Sequence, residues 1–257
     1  MSYTHAVAGA VGWLTMDRPA AMNSLNSEMV AGIAAKLGEW RDDPAIRVVV
    51  ITGSGRAFCA GADLKESQAD QQVPGEKDFL DRIVDFFDTV RAFPKPLIAA
   101  VNGLALAGGL EVVMACDLVL AAESARLGDA HSNFGVFPGA GGAAILPRKV
   151  PVNVARYLLF TGDALSAAEM KQYGLVNEVL PDAELRDRAQ ALAEKLAKKS
   201  PLVLARMKRV ANEAADKTAA DALRHELFEL RNHQRSYDVK EGLAAFVEKR
   251  EPQFKGY

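Results

Sequence analysis

The stretch Leu97–Ala122 reads LIAAVNGLALAGGLEVVMACDLVLAA. Its first five residues are apolar and sit between Pro96 and Asn102–Gly103, which is how a buried strand is bounded. Its last five, LVLAA, repeat the pattern after Asp117. Between them lie glycines at 103, 108 and 109 and the carboxylate Glu111. The apolar run from Leu97 to Cys116 has the length of a membrane span. Asn102, the three glycines and Glu111 argue against one, because a charge and free backbone groups are costly in lipid. The reading that remains is a buried strand, a glycine turn, a buried helix carrying Glu111, and a second buried strand.

Outward from this unit the same alternation continues. Val11–Met16 reads as a strand, followed by the polar turn DRPAAMNSLN, and Ser27–Trp40 has helical spacing through Met29, Ile33 and Leu37. IRVVVIT, Ile46–Thr52, is a β-branched run between Pro44 and Gly53 and reads as a buried strand. Gln68–Asp78 reads as a flexible polar loop. Phe79, Leu80, Ile83, Val84, Phe87 and Val90 predict one face of a helix that stops near Pro94. Near Ser166 the order SAAE predicts a capping box, with Gly174 ending a short helix before a strand over Val176–Leu180. Beyond that the pattern is helical: Ala183–Lys198, Pro201–Ala214, Ala219–Tyr237 and Val239–Lys249. An α/β core over residues 1–200 with a helical C-terminal region over 201–257 follows, divided where Pro201 can open a helix after Ser200.

Composition excludes several function classes. A chain of 257 residues with 49% apolar and 25% charged residues can bury a large core. A formal net charge of -2 gives no basic footprint for nucleic acid and no polybasic membrane patch. The N-terminus lacks the basic start and apolar block of a signal peptide. Two cysteines, Cys59 and Cys116, are too few for a disulfide framework and point to a reducing, cytoplasmic setting.

Two glycine-containing turns each follow a buried strand: GSGRAFCAGADLKE, Gly53–Glu66, and NGLALAGGLEVVMACD, Asn102–Asp117. In each, small residues leave main-chain amides open to a bound group, and the second turn opens a helix whose first N–H donors are free. Two such amides aimed at one point would polarise a carbonyl and stabilise an oxyanion. Taken singly, each glycine cluster is more often a tight turn than an oxyanion hole.

Together with KPLIAAVNGLALAGGLEVVMACDLVLA (95–121), the pieces AFCAGADLKE, FGVFPGAGGAAILPR, TGDALSAAEMKQYGLVNEV and EGLAAFVEKREPQFK fall in one order along nearly the whole chain. In this the sequence resembles the enoyl-CoA hydratase/isomerase, or crotonase, family. The resemblance implies an α/β spiral of ββα turns with a helical C-terminal trimerisation region, packed as a homotrimer or a dimer of trimers. It implies an acyl-CoA thioester substrate and no metal or redox cofactor. It assigns the two oxyanion amides to Ala60 and Gly108, and the CoA pocket to Ala60, Gly61, Ala62, Asp63 and Leu64. Phe246 and Lys249 would lie at the nucleotide end, supplied by a neighbouring subunit. Glu111 stands three residues past Gly108, about one helical turn, where a carboxylate can move protons at the same pocket.

Hydratases of the family use a second glutamate, and here that position is His131. Three readings are open. His131 can share proton transfer with Glu111, since an imidazole serves as acid or base near neutrality. The chain can run a reaction that needs one carboxylate, such as isomerisation, decarboxylation, thioester hydrolysis or carbon–carbon cleavage. Or His131 can be a bystander in its loop. Asp129 reaches the same side as His131 only if a strand continues through both. Non-catalytic acyl-CoA binding is the competing class; its sign would be loss of the oxyanion glycine or of Glu111.

Three lookalikes carry no function. GAGGAA, 139–144, fits a dinucleotide fingerprint, but Pro138 spoils the strand-to-turn entry. HELFE at His225 lacks the second histidine of a zinc helix. Cys59 reads as core filler.

Overall fold

Between residues 48 and 128 the strands come in pairs, a longer, largely buried one followed by one of three residues. The computed structural model describes residues 2–70 and 75–257. It begins with β1 (Tyr3–Ala8) and β2 (Val11–Met16), an antiparallel hairpin turned at Gly9. The sequence gives no sign of β1, because five of its six residues are exposed and no apolar alternation marks it. Asn26 caps α1 (Ser27–Asp42) by accepting from Met29 N. Then come β3 (Val48–Gly53), β4 (Ala57–Cys59), α2 (Leu64–Ala69) and α3 (Phe79–Ala92). The Leu97–Ala122 stretch resolves into β5 (Leu97–Val101), β6 (Leu104–Leu106), α4 (Gly108–Ala115) and β7 (Leu118–Ala122), with β8 (Arg126–Gly128) directly after. No helix among the described residues is long and apolar enough to cross a membrane.

The rest of the chain closes this core. It runs through α5 (Leu146–Lys149), α6 (Val152–Thr161), β9 (Ala164–Ser166), α7 (Ala167–Gln172), β10 (Glu178–Leu180) and α8 (Leu185–Ala197). Helices α9 (Pro201–Ala214), α10 (Ala219–His233) and α11 (Tyr237–Glu248) complete it. The Ser166–Glu169 capping box forms as the sequence predicts, and Ser200 caps α9 with Pro201 in its first turn.

Two mixed sheets carry the strands. The larger has the order β1-β2-β3-β5-β7-β10 and the smaller β4-β6-β8-β9. Within them β2, β3, β5, β7 and β10 are parallel, as are β4, β6 and β8. From β3 to β8 consecutive strands alternate between the sheets, so each turn of chain stacks on the one before. This is the crotonase spiral that the resemblance implies. Every residue of β5 is buried, as expected of a parallel strand covered on both faces.

Two expectations need correction. On α3 the buried face is Phe79, Ile83, Phe86, Phe87 and Val90, while Leu80 and Val84 are exposed. The stripe runs i, i+4, i+7, i+8, i+11, and Leu80 and Val84 lie at its edge. Of the loop expected over Gln68–Asp78, residues 68 and 69 end α2 and Asp78 caps α3; residues 71–74 lie outside the described residues.

α4 packs on β4 with no room for a side chain at one point. A Cβ on Gly109 would stand 2.0 Å from the Cys59 carbonyl oxygen, which is main chain and cannot swing away. Gly109→Ala is expected to destabilise the protein by about 3 kcal/mol or more through overpacking. Gly38→Ala, on α1 with nothing within 4 Å of the new Cβ, is expected to be neutral or to stabilise by about 0.5–1 kcal/mol. Urea unfolding of the two variants measures both.

Candidate active site

Segment 60–63 is positioned by the turn that precedes α1. Met22 and Asn23 have φ of 49° and 56°, and Asn23 is fully buried. Its side chain donates to the carbonyls of Ser54 and Ala57 at 2.9 and 2.7 Å and accepts from Arg18 N at 2.8 Å. The turn then holds the neighbouring main chain. Ala60 N donates to Met22 O at 3.0 Å, Leu25 N to Gly61 O at 2.8 Å, and Asp63 N to Leu25 O at 2.9 Å. Residues 61 and 63 therefore face Leu25, and extended backbone turns the N–H of Ala62 to the opposite side.

That opposite side is occupied by the start of α4. Ala107 takes φ 49° and ψ -120°, a conformation an L-residue rarely adopts, and its N–H is tied to Gly128 O at 3.0 Å. The strained residue swings the chain from β6 into the helix at Gly108. A Cβ on Gly108 would lie 3.3 Å from Ala62 N, and a Cβ on Gly61 would lie 3.3 Å from Gly108 N. The N–H groups of Ala62 and Gly108 thus stand side by side, and neither donates to a protein acceptor among the described residues. Ala60 does not fit the role the resemblance gives it, because its N–H already serves Met22. The amide beside Gly108 is that of Ala62, two residues on.

One turn along α4, Glu111 is 3% exposed. Its Oε1 accepts from Ala140 N at 2.9 Å and from Gly142 N at 2.8 Å. A buried carboxylate without such donors would be costly. Arg91 of α3 steadies the same loop by donating to the Ala140 carbonyl. Gly141 turns the loop with φ 126°, a value that favours glycine. The segment GAGGAA, a lookalike of a nucleotide motif, is thus the clamp for Glu111. Sequence reasoning missed Ala140 and Gly142; the signal was a glycine-rich loop with no strand before it. Glu111 also lines a cleft of about 800 Å³ between Met114, Ile145, Leu204 and Met207; Ala62, Gly108 and His131 do not line it.

His131 opens a short 3-10 turn, His131–Phe134, after β8 has ended at Gly128. No strand continues through Asp129, yet the two side chains meet. His131 Nδ1 lies 2.8 Å from Asp129 Oδ1, and His131 N donates to the same oxygen at 3.3 Å. The Asp129 side chain is 1% exposed and that of His131 12%. Burial by itself lowers the imidazole pKa. The hydrogen bond to Asp129, its charge and the charge of Glu111 outweigh that, and hold His131 above the ordinary histidine value.

The remaining expected residues divide. Asp63 caps α2 and pairs with Arg18 at 2.8 Å; burial opposes ionisation, but the Arg18 contact and main-chain donors keep its carboxyl below the usual range. Leu64 is 40% exposed at the start of α2. Phe246 is exposed on α11 and Lys249 is that helix's left-handed cap; neither makes a hydrogen bond or ring contact with Ala62, Gly108, Glu111 or His131. Burial pushes the Cys59 thiol up to about 12, which suits core filling and not nucleophilic attack.

A raised histidine pKa in the folded state gives stability that is complete below the unfolded value, about 6.5, and is lost as pH rises through the folded value. The unfolding free energy of the parent minus that of His131→Gln should be largest below that pH and shrink above it. Denaturant titrations at a series of pH values check this.

The Enoyl-CoA hydratase/isomerase family model matches residues 7–257. The chain is 39% identical over 249 residues to the 2,3-dehydroadipyl-CoA hydratase of Escherichia coli, covering 95% of this chain and 94% of that one. It is 36% identical over 245 residues to the mitochondrial enoyl-CoA hydratase of Pongo abelii, covering 95% and 83%. The crystal structure of an enoyl-CoA hydratase from Bacillus anthracis superposes with a TM-score of 0.93 at 35% identity over the whole of both chains. With two facing glycine turns, a clamped glutamate and these likenesses, the chain belongs to the enoyl-CoA hydratase/isomerase (crotonase) family.

Proposed function

We propose that the protein hydrates a 2-enoyl-CoA to a 3-hydroxyacyl-CoA. The observation that carries this reading is the side-by-side pair of unpartnered N–H groups at Ala62 and Gly108, with Glu111 clamped one turn away. The thioester oxygen accepts from both amides, which favours charge developing on that oxygen over the ground state. Glu111 uses Oε2, which has no protein partner among the described residues, to take a proton from water. As the water oxygen bonds to C3, the C2=C3 electron pair moves onto the thioester as an enolate. His131 Nε2–H then protonates C2, and the proton on Glu111 returns to His131 through solvent, so water is the only net reactant.

A histidine held above its ordinary pKa supports the acid role near neutral pH. In this reading residues 60–64 line the CoA pocket, and Phe246 and Lys249 reach the nucleotide end of a neighbouring subunit's substrate. Residues 1–200 form the core, and 201–257 carry contacts that build a trimer or a dimer of trimers. Exposed apolar side chains on α9–α11, among them Met207, Leu227, Phe228, Leu243 and Phe246, support such contacts. Two unpaired thiols support a cytoplasmic setting.

Hydration of short 2-enoyl-CoA esters, followed by loss of the enoyl absorbance, tests the reaction. Glu111→Gln keeps an oxygen for the Ala140 and Gly142 amides and should lower kcat by about 10²–10⁴-fold. His131→Ala should lower it by a comparable factor; an unchanged rate would make His131 a bystander. A parent without hydratase activity that gains it on His131→Glu would favour a single-carboxylate reaction. Sedimentation equilibrium should give three or six times the chain mass; a monomer would remove the subunit contacts from the reading.

A further inference from the structure

Asp129 is a buried acid that the proposed reaction does not yet use. It is buried. Both of its hydrogen bonds come from His131, and both end on Oδ1. Oδ2 is buried without a partner, against Gly142, where an added Cβ would lie 2.3 Å from it. Gly142 is the residue whose N–H holds Glu111. One glycine therefore spaces the two acids and keeps both bearing on the histidine.

We propose that Asp129 is the positioning residue of His131, fixing Nδ1 as its protonated nitrogen and Nε2 as the nitrogen that exchanges protons. The inference rests on the reading that His131 moves a proton to C2. A turn alone would need only the main-chain bond to Oδ1, which a neutral asparagine supplies as well. The costly feature is a buried charge with one dry oxygen, and an imidazole is what that charge serves. An ionised carboxylate can only accept, so Nδ1 must carry the hydrogen. The ring then cannot flip without breaking its bond, and its free end is always Nε2. The charged groups that bear on the ring are Asp129 from its own loop and Glu111 from α4. The helix packed against this turn, α6, carries Arg156 and Tyr157, and neither is among the groups that act on the ring.

Nitrogen-15 NMR of the intact protein, labelled in histidine and assigned by loss of the signal in His131→Gln, reads the tautomer directly. The expected result is a neutral His131 with hydrogen on Nδ1. Hydrogen on Nε2 would overturn the proposal, whether or not the protein proves to be a hydratase. Failure of hydration with the Nδ1 tautomer intact would overturn only the reaction. Kinetics give the second arm. Asp129→Asn should lower kcat by about 10- to 100-fold, with KM changed less than about 3-fold, as a loss of proton transfer without loss of binding. The alkaline limb of its kcat profile should move to lower pH, because the imidazolium loses the charge that favours it. An unaltered kcat and pH profile in a folded Asp129→Asn variant would overturn the positioning role.

Discussion

Everything at this site depends on how closely two stretches of main chain approach. Segment 59–62 and the start of α4 touch backbone to backbone, and the contact has no space for a Cβ at Gly109 and little at Gly61 or Gly108. Hydrogen bonding decides which amides are left over. The N–H groups of Ala60 and Asp63 are committed to the Met22–Leu25 turn and that of Gly61 to Cys59 Sγ, so Ala62 is the donor that remains beside Gly108. A single step along the chain separates a satisfied amide from one that can serve a ligand.

The same economy applies to the acids. Glu111 and Asp129 are both buried, and each is held by a different device. Glu111 takes two main-chain amides from a glycine-rich loop, and Asp129 takes the main-chain N–H and Nδ1 of one histidine. Gly142 separates them, its N–H on one carboxylate and its Cα against the other. A side chain there would crowd Asp129 Oδ2, so one glycine meets the needs of both acids. In a low-dielectric setting such placed donors hold charged groups more firmly than solvent does.

Much of the architecture was legible. β2, β5 and β7, α1, and the capping box at Ser166 follow from apolar periodicity and local hydrogen-bonding chemistry, which act over a few residues. β1 was illegible because an edge strand exposed along its length has no face to mark it. The three-residue strands β4, β6 and β8 are too short for a period, and pairing with distant neighbours creates them. The lookalike GAGGAA follows no strand, and its task depends on Glu111, some thirty residues earlier.

By itself the sequence determined that two glycine turns follow two buried strands and that Glu111 lies one turn beyond the second; His131 in the place of a second glutamate is what the resemblance implies. These are local or motif-borne properties, written in spacing. Only the tertiary structure decided that Ala62 faces Gly108 where the resemblance had placed Ala60, that Ala140 and Gly142 hold Glu111, and that Asp129 bonds His131 with no strand between them. Each of these is a question of which donor meets which acceptor across the fold. Main-chain amides look identical in a sequence, and only their partners in space tell the free ones from the spent.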